Sequence, residues 1–116
     1  MVQISRQAGP GVQVLILQGK LEPDDAEHFQ KELTEASVEK PASLLLDLGG
    51  LQYICSTALG ILITEHRRVR RAEGEIKLVV DDGYVKSILQ MTMLDRVFPL
   101  FANRDDALKT FQPAAG

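Results

Sequence analysis

The chain has 116 residues, 45% hydrophobic and 25% charged, with a formal net charge of −3 at pH 7. That size and balance predict one globular domain with its own core, and they exclude a disordered or strongly basic chain drawn to nucleic acid or acidic membranes. The single cysteine, Cys55, excludes an internal disulfide. No signal-peptide pattern opens the chain and no apolar run nears the ~20 residues of a membrane span, so a cytoplasmic protein without membrane insertion is expected.

Val2 and Ile4 alternate with polar residues, the pattern of a short half-buried strand. "GPG" at 9–11 marks a turn, and "VQVLILQG" reads as a second strand, antiparallel to the first. A helix is predicted from Pro23 to about Val38. Proline suits its first position, Asp24 and Asp25 suit the positive end of its dipole, and Ala26, Phe29, Leu33 and Ala36 form one apolar stripe. "SLLLDL", Ser43 to Leu48, is apolar enough for a strand buried on both faces, followed by a turn through Gly49 and Gly50. A second helix should begin at Ser56 or Thr57, capped by one of those hydroxyls, and run to about Glu73 with Gly74 as its stop. "EIKLVV", Glu75 to Val80, predicts the next strand and "DDG" its turn. A third helix follows over Tyr84–Leu94, then a short edge strand at Val97 and Phe98, a last helix near Arg104 to Phe111, and a frayed tail at 113–116. This alternation predicts an α/β domain: a mixed, mostly parallel sheet of about five strands with about four helices.

Phosphate-binding glycine loops are missing, His28 and His66 have no partner at a zinc spacing, and Ser56 lies outside any G-x-S-x-G pattern. No enzyme activity, cofactor or metal is expected. Both histidines read as exposed helix residues. The run "HRRVRR", His66 to Arg71, reads as the solvated end of a helix, since Arg67 and Arg71 share a face while Arg68 and Arg70 point elsewhere.

The segment "LLLDLGGLQYICSTALGILI" resembles the core of the STAS domain, the fold of bacterial anti-sigma factor antagonists. In that resemblance Asp47 is the acidic residue at the strand end, Tyr53 and Ile54 the hydrophobic pair, Ser56 the phosphorylatable serine, and Leu59-Gly60 the following pair. "LILQGKLEPDDAEHF" is similar to the family's strand and first helix, with Gly19, Leu21 and Glu22 in matching places; "ILQMTMLDRVFPLF" and "RDDAL" extend the likeness to most of the chain. The resemblance implies a single STAS domain over residues 1–116 and a partner switch. The unmodified protein binds an anti-sigma factor that is a serine kinase, which frees a sigma factor. Phosphorylation of Ser56 breaks the complex and a PP2C-type phosphatase restores it. The implied partner surface comprises Glu22, Tyr53, Cys55, Ser56, Thr57, Leu59 and Gly60, on a monomer or weak dimer.

The motif departs from the family at three places. Cys55 stands where aspartate is usual, Ala58 where glycine is usual, and Met93 in place of a common glycine. The methyl group of Ala58 is expected to narrow the approach of a partner backbone. Two other readings follow from these changes. One is a STAS subunit that is never phosphorylated, within a larger lipid-transport or stress-signalling assembly. The other is a redox role for Cys55, set against the commoner use of free cysteine as a small buried hydrophobe.

Overall fold

A computed structural model of the chain describes residues 1–9 and 11–111; Pro10 of the expected turn and the expected tail at 113–116 lie outside the described residues. Strands β1 (Val2–Gly9) and β2 (Val12–Leu21) form the antiparallel pair, and β3 (Ser43–Ile54), β4 (Glu75–Val79) and β5 (Leu100–Phe101) then add in parallel, in the order β1-β2-β3-β4-β5. Between them run α1 (Ala26–Ala36), α2 (Ser56–Arg71) and α3 (Tyr84–Met91), with α4 (Arg104–Leu108) last.

The strand order decides where the helices go. Parallel strands that follow one another across a sheet, joined by crossovers of one hand, must carry every crossover helix on the same face. Accordingly Phe29 and Leu33 of α1, Ala58 and Leu62 of α2 and Val85 and Leu89 of α3 share one core with Leu15, Leu17, Leu44 and Leu46 of the sheet. The opposite face belongs to α4, whose Ala107 joins Val14, Leu45, Val79 and Phe111 in a second, smaller cluster.

The element boundaries differ from expectation where local backbone effects intervene. The first helix opens with a 3₁₀ turn at Pro23–Asp25, where the Glu22 N–H donates to Asp25 Oδ2 at 3.0 Å, and it ends at Ala36. β3 does not turn at Gly49-Gly50 but runs on to Ile54, so Asp47 lies within the strand and not at its end. The glycines instead accommodate irregularities: against β2, the register slips between Ile16 and Gln18 and again between Gly19 and Lys20, each time spending one extra residue of β3. Those slips turn Leu48, Leu51 and Ile54, three residues apart, all into the main core. A Cβ at 50 would stand 3.0 Å from Gln18 Cγ, a tight contact that glycine avoids.

α2 stops as predicted but by a different residue. Glu73 takes the left-handed conformation at φ +64, and Gly74 N–H donates to Val69 O at 2.8 Å while Glu73 N–H donates to Arg70 O at 3.0 Å. Gly74 is needed because a Cβ there would collide with the backbone of Ala42. α3 ends early, at Met91, because Met93 adopts φ +62 before a 3₁₀ turn at Leu94–Arg96. The expected edge strand at Val97 and Phe98 is not formed: Phe98 is fully buried in the main core, and pairing with β4 begins at Pro99, whose carbonyl accepts from Leu78 N–H at 3.0 Å. A proline has no N–H to give a ladder, so the strand proper starts after it. The last helix is only Arg104–Leu108, capped by Asn103 Oδ1, which accepts from Asp106 N–H at 2.9 Å.

Candidate functional site

β2, β3 and β4 point the same way, so their C-terminal ends, Leu21, Ile54 and Val79, open on one edge of the sheet. Such an edge is where open α/β sheets place their sites. It gathers Glu22, the stretch Tyr53 to Gly60, and the loop from Asp81 to Tyr84. The end of β2 is stitched to the start of α2 by Cys55 N–H donating to Leu21 O at 3.0 Å.

Ser56 is the first residue of α2 and is exposed, as is Thr57. Neither hydroxyl caps the helix, contrary to expectation. The residue at the cap is Cys55, in an extended conformation, and its side chain makes no capping hydrogen bond. A thiol is a weak acceptor, and a hydroxyl already inside the first turn cannot fold back onto the amides ahead of it. The Ser56 hydroxyl therefore has no hydrogen-bond partner among the described residues, and the leading N–H groups of α2 have no side-chain cap.

The other predicted site residues divide between surface and core. Glu22 is exposed at the end of β2, Leu59 is half-buried, and Gly60 is exposed with open space where a Cβ would stand. Tyr53 is half-buried and stacks on Tyr84, ring centroids 5.4 Å apart and planes 20° apart. Cys55 differs: its side chain is 4% exposed and packs in the main core, which matches a small buried hydrophobe. Ala58 is fully buried too, so its methyl faces the sheet and does not narrow a partner's approach. Asp47 belongs elsewhere. It lies on the α4 face, where Oδ2 accepts from Arg104 Nη2 at 2.8 Å and Oδ1 from Gly49 N–H at 3.0 Å.

Tyr84, Asp81 and Gly83 were not singled out from the sequence, although "DDGY" follows a strand parallel to the one ahead of Ser56. That shared direction was the signal available.

The four arginines of the basic run are exposed, as expected of a solvated helix end, and two of them also contact the fold. Arg68 donates to the buried Glu65 at 2.7 Å and to Ser37 Oγ at 2.6 Å, tying α2 to the end of α1. Arg70 reaches Gly74 O at 3.5 Å. His66 is not the exposed residue expected: its ring meets Phe98 edge-on at 4.8 Å, and its Nδ1 is buried without a hydrogen-bond partner among the described residues. Burial, with Arg70 and Arg67 close by, lowers its pKa from the usual 6.5. No helix among the described residues is long and apolar enough to cross a membrane.

Comparison with known proteins agrees with this fold. Residues 3–107 match the family model described as the STAS domain. BtrV of Bordetella bronchiseptica, a candidate anti-sigma factor antagonist, is 27% identical over 104 residues, 90% of each chain. Among solved structures, an anti-sigma factor antagonist from Mycobacterium paratuberculosis superposes with a TM-score of 0.84 at 23% identity, over 94% of this chain and 92% of that one. The anti-sigma factor antagonist SpoIIAA of Bacillus matches in both its unphosphorylated form (TM-score 0.70, 14% identity, 96% and 100% covered) and its phosphorylated form (0.69, 15%, 94% and 97%). From β1 through the start of α2 into the last helix, the chain belongs to the STAS domain family.

Proposed function

We propose that the protein is an anti-sigma factor antagonist whose partner surface is the C-terminal edge of the sheet around the start of α2, switched by phosphorylation of Ser56. The observation that carries this reading is the Ser56 hydroxyl, exposed, without a hydrogen-bond partner among the described residues, and on the first turn of a helix whose leading amides carry no side-chain cap. A kinase can reach such a hydroxyl without unfolding anything. The phosphate adds about −1.5 to −2 charges. At a helix N-terminus that charge is favoured by roughly 0.3–1 kcal/mol, so the domain keeps its fold. Across a protein interface the same group must be desolvated and makes room for itself at the partner's expense. The modification thus acts on binding and leaves the fold intact. A relative solved in two phosphorylation states with the same fold supports that division. The partners implied are an anti-sigma factor that is a serine kinase and a PP2C-type phosphatase, all cytoplasmic.

The test uses wild type and Ser56→Asp as paired baits against bacterial lysate. Wild type should recover a serine kinase with an ATP-binding domain, and Ser56→Asp at least about tenfold less of it, with unfolding free energy changed by no more than about 0.5 kcal/mol, as for an ordinary surface change. Incubated with that kinase and ATP, the protein should gain one phosphate, on Ser56, by mass spectrometry. Equal recovery by both baits, or no phosphate, overturns the switch.

A further inference from the structure

Beside the Tyr53–Tyr84 stack, the same edge of the sheet contains a cleft of about 340 Å³ lined by Leu48, Gly49, Leu51, Asp81, Gly83 and Tyr84, among others. It exists because β3 outruns β4. Their pairing stops at Asp47 and Val79, while β3 continues to Ile54. Beyond Asp47 that side of β3 meets no strand among the described residues, so its backbone polar groups border the cleft unpaired by a ladder.

The lining has one consistent chemistry. Leu48 and Leu51, 3% and 7% exposed, border the cleft with the outer edges of side chains that otherwise pack in the main core. The Tyr84 ring, 48% exposed, forms a wall braced by its stack on Tyr53. Asp81 leans over Gly49: its carboxylate oxygens lie 3.7 and 3.8 Å from where a Cβ at 49 would stand. That carboxylate has no hydrogen bond or ion pair among the described residues, whereas the adjacent Asp82 is occupied by Lys86 at 3.0 Å. Gly83 puts no side chain at the mouth.

Apolar edges, a π face and a free carboxylate together match the parts of one side chain. The methylene stem of an arginine suits the edges of the leucines, its planar guanidinium suits a π face and a carboxylate alike, and its remaining N–H donors suit strand carbonyls. We propose that this cleft docks an arginine side chain presented by the protein partner. Charge complementarity selects a basic occupant, and continuity selects the source: Tyr53, which braces the wall, precedes Ser56 by three positions on the same strand-to-helix connection. The identity of the occupant as the switching partner rests on the function proposed above, but the cleft's preference does not.

The test therefore uses a small probe. N-acetyl-L-arginine methylamide is titrated to about 50 mM into the ¹⁵N-labelled protein, a range that suits millimolar affinity. Saturable shifts are expected at the amides of Gly49, Gln52, Gly83 and Tyr84. The matching citrulline compound, of nearly the same shape without the charge, should bind at least about fivefold more weakly, and so should the arginine probe to Asp81→Asn. Asp81 is exposed and has no ion pair or hydrogen bond among the described residues, so that variant keeps its fold, and the citrulline comparison needs no variant at all. No saturable shift at these amides, or equal binding of the two compounds, overturns the proposal. Since no protein partner is present, this result is independent of the Ser56→Asp comparison, and either reading can fail alone.

Discussion

On one face of the sheet, α1, α2 and α3 cover a core in which Leu15, Phe29, Leu46, Leu62 and Phe98 are 0–1% exposed. On the other, α4 spans only Arg104–Leu108 over a cluster of Val14, Leu45, Val79, Ala107 and Phe111. Polar contacts are correspondingly placed. The α4 face has Asp47 clamping Arg104 at the start of the helix, and Lys77, 7% exposed, donating to Thr110 O and Oγ1 at 2.8 and 2.7 Å just past its end, with Nζ 4.5 Å from the Phe111 ring centre. A five-residue helix buries too little apolar surface to hold itself down, so charged side chains rising from β3 and β4 grip both ends. Continuous packing dominates one face, with Arg68, Glu65 and Ser37 adding a polar tie between α1 and α2, whereas directional contacts at both helix ends hold the other.

The strongest challenge to that contrast is on the main core. Leu46→Ala should cost about 2–5 kcal/mol in urea unfolding, because the side chain is fully buried and its neighbours cannot all collapse into the space. A loss under about 1 kcal/mol would mean the main face is more loosely packed than its burial indicates. Asp47→Ala should cost less, about 1–3 kcal/mol, by stranding Arg104 and the Gly49 N–H. Its signature is local: hydrogen exchange should quicken at 104–108 while the amides of β3 and β4 stay protected. Uniform acceleration would show that α4 is not a separately latched unit.

Two smaller effects probe strain within the main face. Met93 holds a left-handed backbone, so Met93→Gly should gain about 0.5–1 kcal/mol, the relief of φ +62 less the added chain entropy of glycine. No gain would show that the exposed methionine side chain contributes contacts of its own. The smallest effect is pH-dependent. The folded-state pKa of His66 is depressed, so the folded protein favours the neutral ring. Its contribution is present above the unfolded value of 6.5 and is lost as pH falls below it toward the folded value. His66→Leu should remove that component of the pH dependence, measured as urea midpoints between about pH 7.5 and 5. An unchanged profile would show that other groups carry it.

Much of the fold was legible because hydrophobic periodicity reports local structure directly. The stripe Ala26, Phe29, Leu33, Ala36 and the run Ser43 to Leu48 each specified an element that forms. The misses share a cause. At Gly49-Gly50, at Met93 and at Phe98, the backbone is set by a neighbouring strand or by the core, and residue type alone is ambiguous between a turn, a bulge and a buried position. Around the candidate site, the helix start at Ser56 was legible from the sequence, whereas the inward direction of Cys55 and Ala58 was not. Which side of a helix's first residues meets the sheet depends on how β3 delivers them.

By itself, then, the sequence determined the order of strands and helices and the family likeness around Ser56, since both depend on residues close together in the chain. Only the tertiary structure decided that three helices crowd one face, that polar grips secure α4, and that Asp81 and Tyr84 share an edge with Ser56. Those facts depend on strand order and direction, which join segments far apart in sequence through backbone hydrogen bonds that every residue type can make.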